Sequence, residues 1–520
     1  MTYRVIQKNK GNCYLYEVNA TWDPVKKKSV QKRKYLGKCD KDGNILNSYE
    51  NTNYSMDFGK YYALSSILEE TRLPDMLTKV FGSVESRVLS QYGILMATGH
   101  YRIPQMTEAL DNTIVPKLTR PVDNVDQVDL ANLLLEAHPR FKDLFKVLVD
   151  GTDITVFVVD YVPVPFQMRW KFITDRDYGY VYTPEFTTYI GVDNRTNSIC
   201  YYKRIYERIS SVPYILKVKN ELESMGARNV HFIFDHKKGN RHSIEDLLAN
   251  RITFTCPAYT DTDIGSELIM KSNDFLLKSG GTQLLYGELC KVSETAESYE
   301  DIPYRIVTYM NIKRYQNEVR ILFSRCKQFE ELVSGMQWSD DLVFRLSNDL
   351  SFSDMIPLYD LSEGPGGSVK AVKRDDMIDF AEISSGKTIL ITNSGSDLAE
   401  ILGFEVKHGW FDTEMYKLRE NLPFISHIFR SYPEAESMML IEFISFMIRA
   451  KIDDKLWKKD REDLTVQDLI NGLEDINISS TKNRWHLDTI NNKQREMLSI
   501  LDLELPSDAA INDIMNKTSD

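Results

Sequence analysis

Two aspartates, each at the end of a short apolar run rich in β-forming residues, are best placed for chemistry. Val147-Leu148-Val149 leads into Asp150, and the run 231–234 leads into Asp235. Carboxylates at the ends of adjacent strands are held rigidly at a sheet edge, where they can share two divalent cations ~3.5–4 Å apart. Such a pair of ions clamps the attacking and leaving oxygens of phosphoryl transfer on nucleic acid. Mg²⁺ is the expected ion, because one or two carboxylates and substrate phosphates usually hold it.

Both aspartates also have a purely structural interpretation. Asp150 precedes Gly151, and Asp-Gly pairs often open turns. Asp235 is followed by a break in the apolar pattern, so its side chain could instead cap a helix or a turn. The sequence contains no Ser-His-Asp or Cys-His arrangement that favours covalent catalysis.

The elements that would position these aspartates follow from the spacing of apolar residues. The pattern predicts a strand at 145–158, a hairpin with strands at 187–192 and 198–202, a helix at 211–225 and a strand at 229–234. Asp150 is then expected on the first strand and Asp235 on the fourth. A helix at 243–249 and a strand at 252–256 are expected next. The pattern resumes with a strand at 387–393, a helix at 396–402, a longer helix at 410–422 and an apolar helix at 438–452.

The rest of the chain divides by composition and period. Helical spacing is expected at 61–72, 74–81, 86–98 and 129–145, in a region that suits either DNA binding and assembly or a plain structural bundle. Strand signals at 304–312 and 318–323 predict a mostly β insertion. The predicted divisions are 1–56, a β-hairpin segment; 57–144, helical; 145–257, the first part of the core; 258–385, the β insertion; 386–452, the last part of the core; and 453–520, a helical tail.

Composition favours a reduced cytoplasmic protein. The chain has 520 residues, 42% of them hydrophobic and 27% charged, which is ordinary for globular proteins. No run approaches the ~20 apolar residues that span a bilayer, so no membrane partner is expected. The six cysteines are scattered without a Cys-x-x-Cys pair, which argues against a structural zinc site and a disulfide framework.

The distribution of charge bears on a nucleic-acid partner. The net charge of −12 argues against one. The segment 26–34, however, is strongly basic and contains Lys32, Arg33 and Lys34, with tyrosines close by. A local basic segment can neutralise phosphates while the rest of the chain stays acidic. The alternative is a solvent-exposed edge strand whose lysines prevent pairing with other chains.

The order of these elements and carboxylates resembles the DDE transposases of bacterial insertion sequences, over most of the chain. The likeness is strongest to the subgroup with a β-strand insertion between its second and third acids. The block 147–152 resembles the first-acid motif of this family, and 232–235 the second. The resemblance implies an α/β fold: an RNase H-like mixed sheet with flanking helices, interrupted by a mostly β insertion, with an N-terminal β-hairpin plus a helical domain.

The third motif of that family places a tyrosine, an arginine, a glutamate and a basic residue on one helix. Anchoring the match at 418–422 puts Asp412 at the glutamate position and Arg419 at the basic one. His408 then stands at the arginine position and Glu405 at the tyrosine position. Glu414 is the other candidate for the third acid, although two residues turn it by about 200° around a helix. After Asp235, where the family usually has Arg-Gly, this chain has His-Lys.

The resemblance also implies a reaction and its partners. Asp150, Asp235 and Asp412 would bind two Mg²⁺ (or Mn²⁺) ions, water would cut one strand at the element's end, and the freed 3′-hydroxyl would attack a target phosphodiester. Lys417 and Arg419 would contact DNA phosphates. The expected partners are double-stranded DNA, both element ends and target, and a second copy of the chain. Two alternatives stay open: a degenerate or domesticated descendant that binds DNA without cleaving it, and an RNase H-like nuclease without strand transfer.

Overall fold

The structure is a computed structural model of the chain. It describes residues 2–9, 12–23, 28–39, 54–99, 103–119, 130–160, 187–205, 212–234, 239–258, 263–276, 281–285, 288–349, 351–421, 439–461, 463–481 and 484–516. Asp235 lies outside these described residues.

A three-stranded antiparallel sheet forms the N-terminal segment. Its strands are β1 (Thr2–Asn9), β2 (Asn12–Asp23) and β3 (Lys28–Cys39), in the order β1-β2-β3. The predicted hairpin is therefore confirmed, and β1 adds a third strand that pairs along β2. A short strand, β4 (Tyr54–Asp57), follows.

Helices fill the next part of the chain, as the apolar spacing predicts. They are α1 (Gly59–Glu70), α2 (Leu73–Phe81), α3 (Ser83–Ala97), α4 (Ile103–Asn112), α5 (Val115–Leu118), α6 (Leu130–Ala137) and α7 (Phe141–Val149). Pro74 lies in the first turn of α2, where a missing N–H costs little. The single helix predicted at 129–145 is instead α6 and α7, joined by a 3₁₀ turn at His138–Arg140.

Most strands of the middle of the chain join one large sheet. The strands are β5 (Asp153–Asp160), β6 (Thr187–Asp193), β7 (Ile199–Ile205), β8 (Asn229–Ile233), β9 (Thr253–Ala258), β10 (Thr282–Leu285), β11 (Glu288–Tyr299), β12 (Ile302–Asn311), β13 (Tyr359–Glu363), β14 (Val369–Lys373) and β15 (Lys387–Thr392). Nine of them form a sheet in the order β10-β11-β12-β15-β9-β8-β5-β6-β7, and β13 pairs with β14 alone. The fold is thus mixed α/β with a large mixed sheet.

Strand direction divides this sheet into two parts. β5 runs parallel to β8, and β8 parallel to β9, whereas β6 and β7 are antiparallel to their neighbours. Parallel neighbours need a crossover, and helices supply it here. α8 (Val212–Ser224) precedes β8, and α9 (Arg241–Ala249) joins β8 to β9. Strand β15 then pairs antiparallel with both β9 and β12, so the inserted strands extend the same sheet.

The prediction that 258–385 is mostly β is wrong. Besides its strands, this stretch contains α10 (Asp263–Leu276), α11 (Ile312–Ser334), α12 (Leu342–Ser347) and α13 (Asp375–Ser384). The strand predicted at 304–312 is confirmed as β12, but the one predicted at 318–323 lies within the 23-residue helix α11. Cys326, Phe329 and Val333 of α11 are buried at helical spacing in a separate hydrophobic cluster.

The C-terminal part is helical with one small sheet. Its helices are α14 (Leu398–Asn421), α15 (Met439–Lys458), α16 (Val466–Gly472), α17 (Asn492–Ile500) and α18 (Asp508–Asn516). The two helices predicted at 396–402 and 410–422 are therefore one, α14. Strands β16 (Asn477–Thr481) and β17 (Arg484–Leu487) form a three-stranded sheet with β4. Among the helices described, none is long and apolar enough to cross a membrane.

Candidate functional site

Asp150 does not end a strand, and the prediction that it does is wrong. Residues 147–149 are the last turn of α7, whose Phe141, Leu144, Phe145 and Val149 are buried at helical spacing. Asp150 follows this helix with an exposed side chain, and Gly151 turns the chain with φ of 70° before β5 begins. Helical period therefore outweighs the β propensity of a three-residue run.

The position of Asp150 also separates it from the end of β8. Gly226, which precedes β8, has no room for a Cβ, because one there would lie 2.3 Å from Asp150 Oδ1. Asp150 is thus at the amino-terminal end of both β5 and β8. At ~3.3 Å per residue, the five steps from Asn229 to Phe234 carry the chain more than about 15 Å away from that end. Asp235 follows Phe234 in the sequence and lies outside the described residues.

A different aspartate, Asp160, ends the strand beside β8. β5 runs from Asp153 to Asp160, and in its parallel pairing Phe157 lies opposite Ile233. Both strands therefore run to the same edge of the sheet. Asp160 is not among the acids predicted above, although the sequence contains a signal for it. The buried run Ile154–Val159 is longer and richer in β-branched residues than 147–149, and it too ends on an aspartate.

Helix α14 crosses the sheet close to this edge. His408 is buried, and its Nε2 lies 3.0 Å from the carbonyl oxygen of Val158, two residues before Asp160. The Phe411 ring packs on Phe157 with 5.0 Å between centroids. Asp412 is confirmed on a helix and is exposed. Because residues four apart share one side of a helix, Asp412 lies one turn beyond His408 on the side that contacts the end of β5.

Glu414, the rival candidate for the third acid, lies in the interior. Its Oε2 accepts a hydrogen bond of 2.7 Å from Arg449 Nε, and both side chains are only 2% exposed. A carboxylate already paired and enclosed in this way is not free to reach a ligand at the sheet edge. The geometry therefore favours Asp412 over Glu414.

The predicted DNA-contacting residues are located only in part. Lys417 and Arg419 lie in the last part of α14, and Lys32, Arg33 and Lys34 lie in β3. The side chains of all five are outside the described part of the chain. Within the side chains that the structure describes, no group of three or more His, Cys, Asp or Glu residues is arranged to hold a metal ion. That description includes neither Asp235 nor the side chain of Asp160.

No protein-family model and no curated protein sequence matches the chain. One solved structure, described as the cryo-EM structure of a piggyBac transposase synaptic complex with hairpin DNA, matches 90% of this chain and 87% of that chain. The sequence identity of this match is 8% and its TM-score is 0.32. Both values are low, and neither establishes a shared fold or function.

Proposed function

We propose that this chain is a DDE-type transposase, which cleaves the DNA ends of an insertion sequence element and transfers them to a target. The observation that carries the proposal is the strand order β7-β6-β5-β8-β9, with β5, β8 and β9 parallel and an aspartate at or after the ends of both β5 and β8. This order and these directions fit an RNase H-like catalytic domain. The proposed acids are Asp160, Asp235 and Asp412, and Asp160 takes the place first predicted for Asp150.

The register of the strands supports a common site for the first two acids. Asp160 ends β5, and Phe234, which directly precedes Asp235 in the sequence, follows the last residue of the adjacent parallel strand β8. Asp412 approaches from α14, which His408 ties to β5. The donor set is three carboxylates, and hard oxygen ligands of this kind suit Mg²⁺ or Mn²⁺. Two such ions, when bound, would supply a nucleophile at neutral pH and neutralise charge on the phosphate.

The chain's own residues would position the DNA for two displacements at phosphorus. In the first, a water oxygen bonds to the phosphorus and the bond to the 3′-oxygen breaks, which frees a 3′-hydroxyl at the element's end. In the second, that 3′-oxygen bonds to a target phosphorus, and the target's own 3′-oxygen leaves. Basic residues of α14 and β3, Lys417, Arg419, Lys32, Arg33 and Lys34, would contact phosphates. The partners would be double-stranded DNA and a second copy of the chain, in the bacterial cytoplasm.

A second function is favoured by a specific difference from the family. His-Lys follows Asp235 where the family usually has Arg-Gly, and His408 stands in place of an arginine. Under this alternative the chain is a degenerate or domesticated descendant that binds DNA without cutting it. The DNA-binding surface would then be retained while the ion site is lost.

The test uses the full chain with Mn²⁺ or Mg²⁺ and DNA from both flanks of its own coding sequence. Asp160→Asn, Asp235→Asn and Asp412→Asn are expected to lose cleavage and to keep DNA binding. Asp150→Asn is the matched control, because it changes an exposed aspartate at the opposite end of the sheet. Cleavage that is lost in Asp150→Asn and kept in Asp160→Asn would overturn the assignment. Binding without cleavage by the unmodified chain would favour the degenerate descendant.

A further inference from the structure

Two cysteines lie directly opposite each other in the N-terminal sheet. β2 and β3 pair antiparallel, and in their register Cys13 is the partner of Cys39. Residues opposite each other in an antiparallel pair have Cα atoms about 4.5–5.5 Å apart and side chains on the same face of the sheet. A disulfide needs Cα atoms about 4.4–6.8 Å apart, so the register of these two strands meets that requirement.

The same two side chains are enclosed in one apolar cluster. Cys13 is 9% exposed and Cys39 is 2% exposed, and the cluster also contains Leu15 and Ile6. Leu15 is two residues from Cys13 along β2 and therefore on the same face, and Ile6 pairs with Leu15 from β1. The cluster thus places both cysteine side chains together on one side of the sheet.

The register singles out Cys13 and Cys39 among the six cysteines. In the strand pairings that the structure describes, no other two cysteines lie opposite each other. Cys290 is buried to a similar extent in β11, but its partners on the two neighbouring strands are Gln283 and Asn311. Cys290 is therefore a matched control for any effect of oxidation.

The cysteine pair closes the end of the hairpin that lies beyond a β-bulge. The register shifts by one residue between Leu15 and Tyr16, so β3 contributes an extra residue, Leu36. Bulges disrupt the ladder of hydrogen bonds locally. Beyond this one, three residue pairs join the last part of β3 to β2, and Cys13–Cys39 is the outermost of them. A covalent bond between these cysteines would therefore hold the short ladder closed at its outer end.

We propose that Cys13 and Cys39 are a redox-active pair, whose oxidation to a cross-strand disulfide fixes the end of the β2–β3 hairpin beyond the bulge. The oxidant is hydrogen peroxide, which is small enough to reach a largely buried thiol. In a reducing compartment the pair is present as two thiols, because disulfides of cytosolic proteins are usually transient or redox-sensing. The pair does not require the proposed transposase activity.

The oxidation proceeds in two balanced steps. Cys13, the more exposed of the two, loses its proton to water, and its Sγ bonds to one peroxide oxygen while the O–O bond breaks and hydroxide leaves. Cys39 then loses its proton, and its Sγ bonds to Cys13 Sγ while the S–O bond of the sulfenic acid breaks and a second hydroxide leaves. The two hydroxides take up the two protons. Two thiols are thus oxidised to one disulfide, and one peroxide is reduced to two waters.

The first test treats the full chain with hydrogen peroxide, alkylates it in denaturant and counts the thiols by mass spectrometry. The reduced chain has six cysteines to alkylate, and the treated chain is expected to have four, because the disulfide consumes two. Trypsin should then release peptides 11–26 and 39–41 joined by a bond that dithiothreitol cleaves. Six alkylated cysteines, a bond between other cysteines or a bond between two chains would overturn the proposal.

Variants separate this pair from general oxidation of thiols. Cys13→Ser and Cys39→Ser each have five cysteines, and all five are expected to be alkylated after the same treatment. Cys290→Ser also starts with five and should retain three, with peptides 11–26 and 39–41 still joined. Equal losses of thiol in Cys13→Ser and Cys290→Ser would refute the pair.

Hydrogen exchange tests the effect on the hairpin in the unmodified chain. The backbone amides of residues 37–39 should exchange at least roughly tenfold more slowly in the oxidised chain than in the reduced chain, because the disulfide opposes local opening of the ladder. The amides of β11 around Cys290 are the internal reference and should exchange equally in both forms. Equal exchange of residues 37–39 in the two forms would overturn the proposed effect.

Discussion

Arg449 and Glu414 form an ion pair inside the protein, with 2.7 Å between Arg449 Nε and Glu414 Oε2. Arg449 Nη1 also donates to the carbonyl of Ala97 at 2.8 Å and to the side chain of Gln467 at 3.1 Å. One guanidinium thus joins α14 and α15 to α3 and α16. Because the pair fixes the rotation of α14 about its axis, it also determines which acidic residue of this helix remains outside.

Breaking this pair is expected to destabilise the protein strongly. Arg449→Met removes the guanidinium that pairs with the buried carboxylate of Glu414, and loss of one member of a buried pair costs about 3–5 kcal/mol. The thermal midpoint should fall clearly, and the double variant Arg449→Met/Glu414→Leu should recover most of the loss. Lys327→Met, which removes one member of the exposed Lys327–Glu331 pair, is the control and should leave the midpoint unchanged. A double variant as unstable as the single one would contradict this account.

Substitutions of Asp412 and of Glu414 are expected to have opposite effects on cleavage and on thermal stability. Asp412→Asn alters an exposed carboxylate, so it should abolish the proposed Mn²⁺-dependent cleavage and leave the thermal midpoint in place. Glu414→Gln removes a buried charge, so it should lower the midpoint while the folded fraction still cleaves. Cleavage assays and thermal melts on the same preparations measure both effects. Full cleavage by Asp412→Asn would exclude it as the third acid.

Gly93 allows α3 and α15 to approach closely, and a side chain there should be destabilising. An ideal Cβ at Gly93 would lie 2.3 Å from Ile444 Cγ2. Gly93→Ala must push the two helices apart, at a cost of about 1–3 kcal/mol. Gly409, in α14, has no atom within 4 Å of such a Cβ. Gly409→Ala should therefore gain about 0.5–1 kcal/mol from helix propensity. Thermal melts would contradict the packing argument if Gly93→Ala were the more stable variant.

His231 should make stability depend on pH. Its ring is 8% exposed and lies 3.0 Å from Thr255 Oγ1, and burial lowers its pKa to about 4 from an ordinary 6.5. Between pH 6.5 and pH 4, His231 is therefore protonated in the unfolded chain and neutral in the folded chain. The stabilisation is complete above pH 6.5 and falls as the pH drops towards 4, by at most about 3 kcal/mol.

His231→Gln removes the titrating imidazole and puts in its place an amide that can still form a hydrogen bond. Urea unfolding between pH 7.5 and pH 4.5 is expected to show a steeper loss of stability for the unmodified chain than for the variant. Parallel loss in the two proteins would show that His231 contributes nothing to the pH dependence.

Most strands and helices around the site are predictable from the sequence, and the first acid is misplaced for a definite physical reason. The runs before Asp150 and Asp160 are both apolar and β-forming, and only the longer one is a strand. The shorter one continues the period of Phe141, Leu144 and Phe145, so burial on one face makes it helical. Single-residue propensity could not separate the two, but the longer periodic window could.

Other features were beyond prediction because they depend on contacts between distant parts of the chain. β4 pairs with β16, which lies near the other end of the sequence. The residue pattern of a four-residue strand is too short to predict such a distant partner. The internal position of Glu414 depends on Arg449, which comes from another helix. Local sequence around Glu414 therefore could not exclude it as a ligand.

The pairing of β15 has a mechanical consequence. Residues 387–392 bond on one side to β12 of the insertion and on the other to β9. The insertion is therefore held by backbone hydrogen bonds to the core sheet and is not a separate module joined only by linkers. A force applied to the insertion would be transmitted through β15 and β9 to β8. Excising it would leave β15 with a bare backbone edge, open to pairing with other chains. Grafting experiments that treat it as an interchangeable module should consequently yield aggregates.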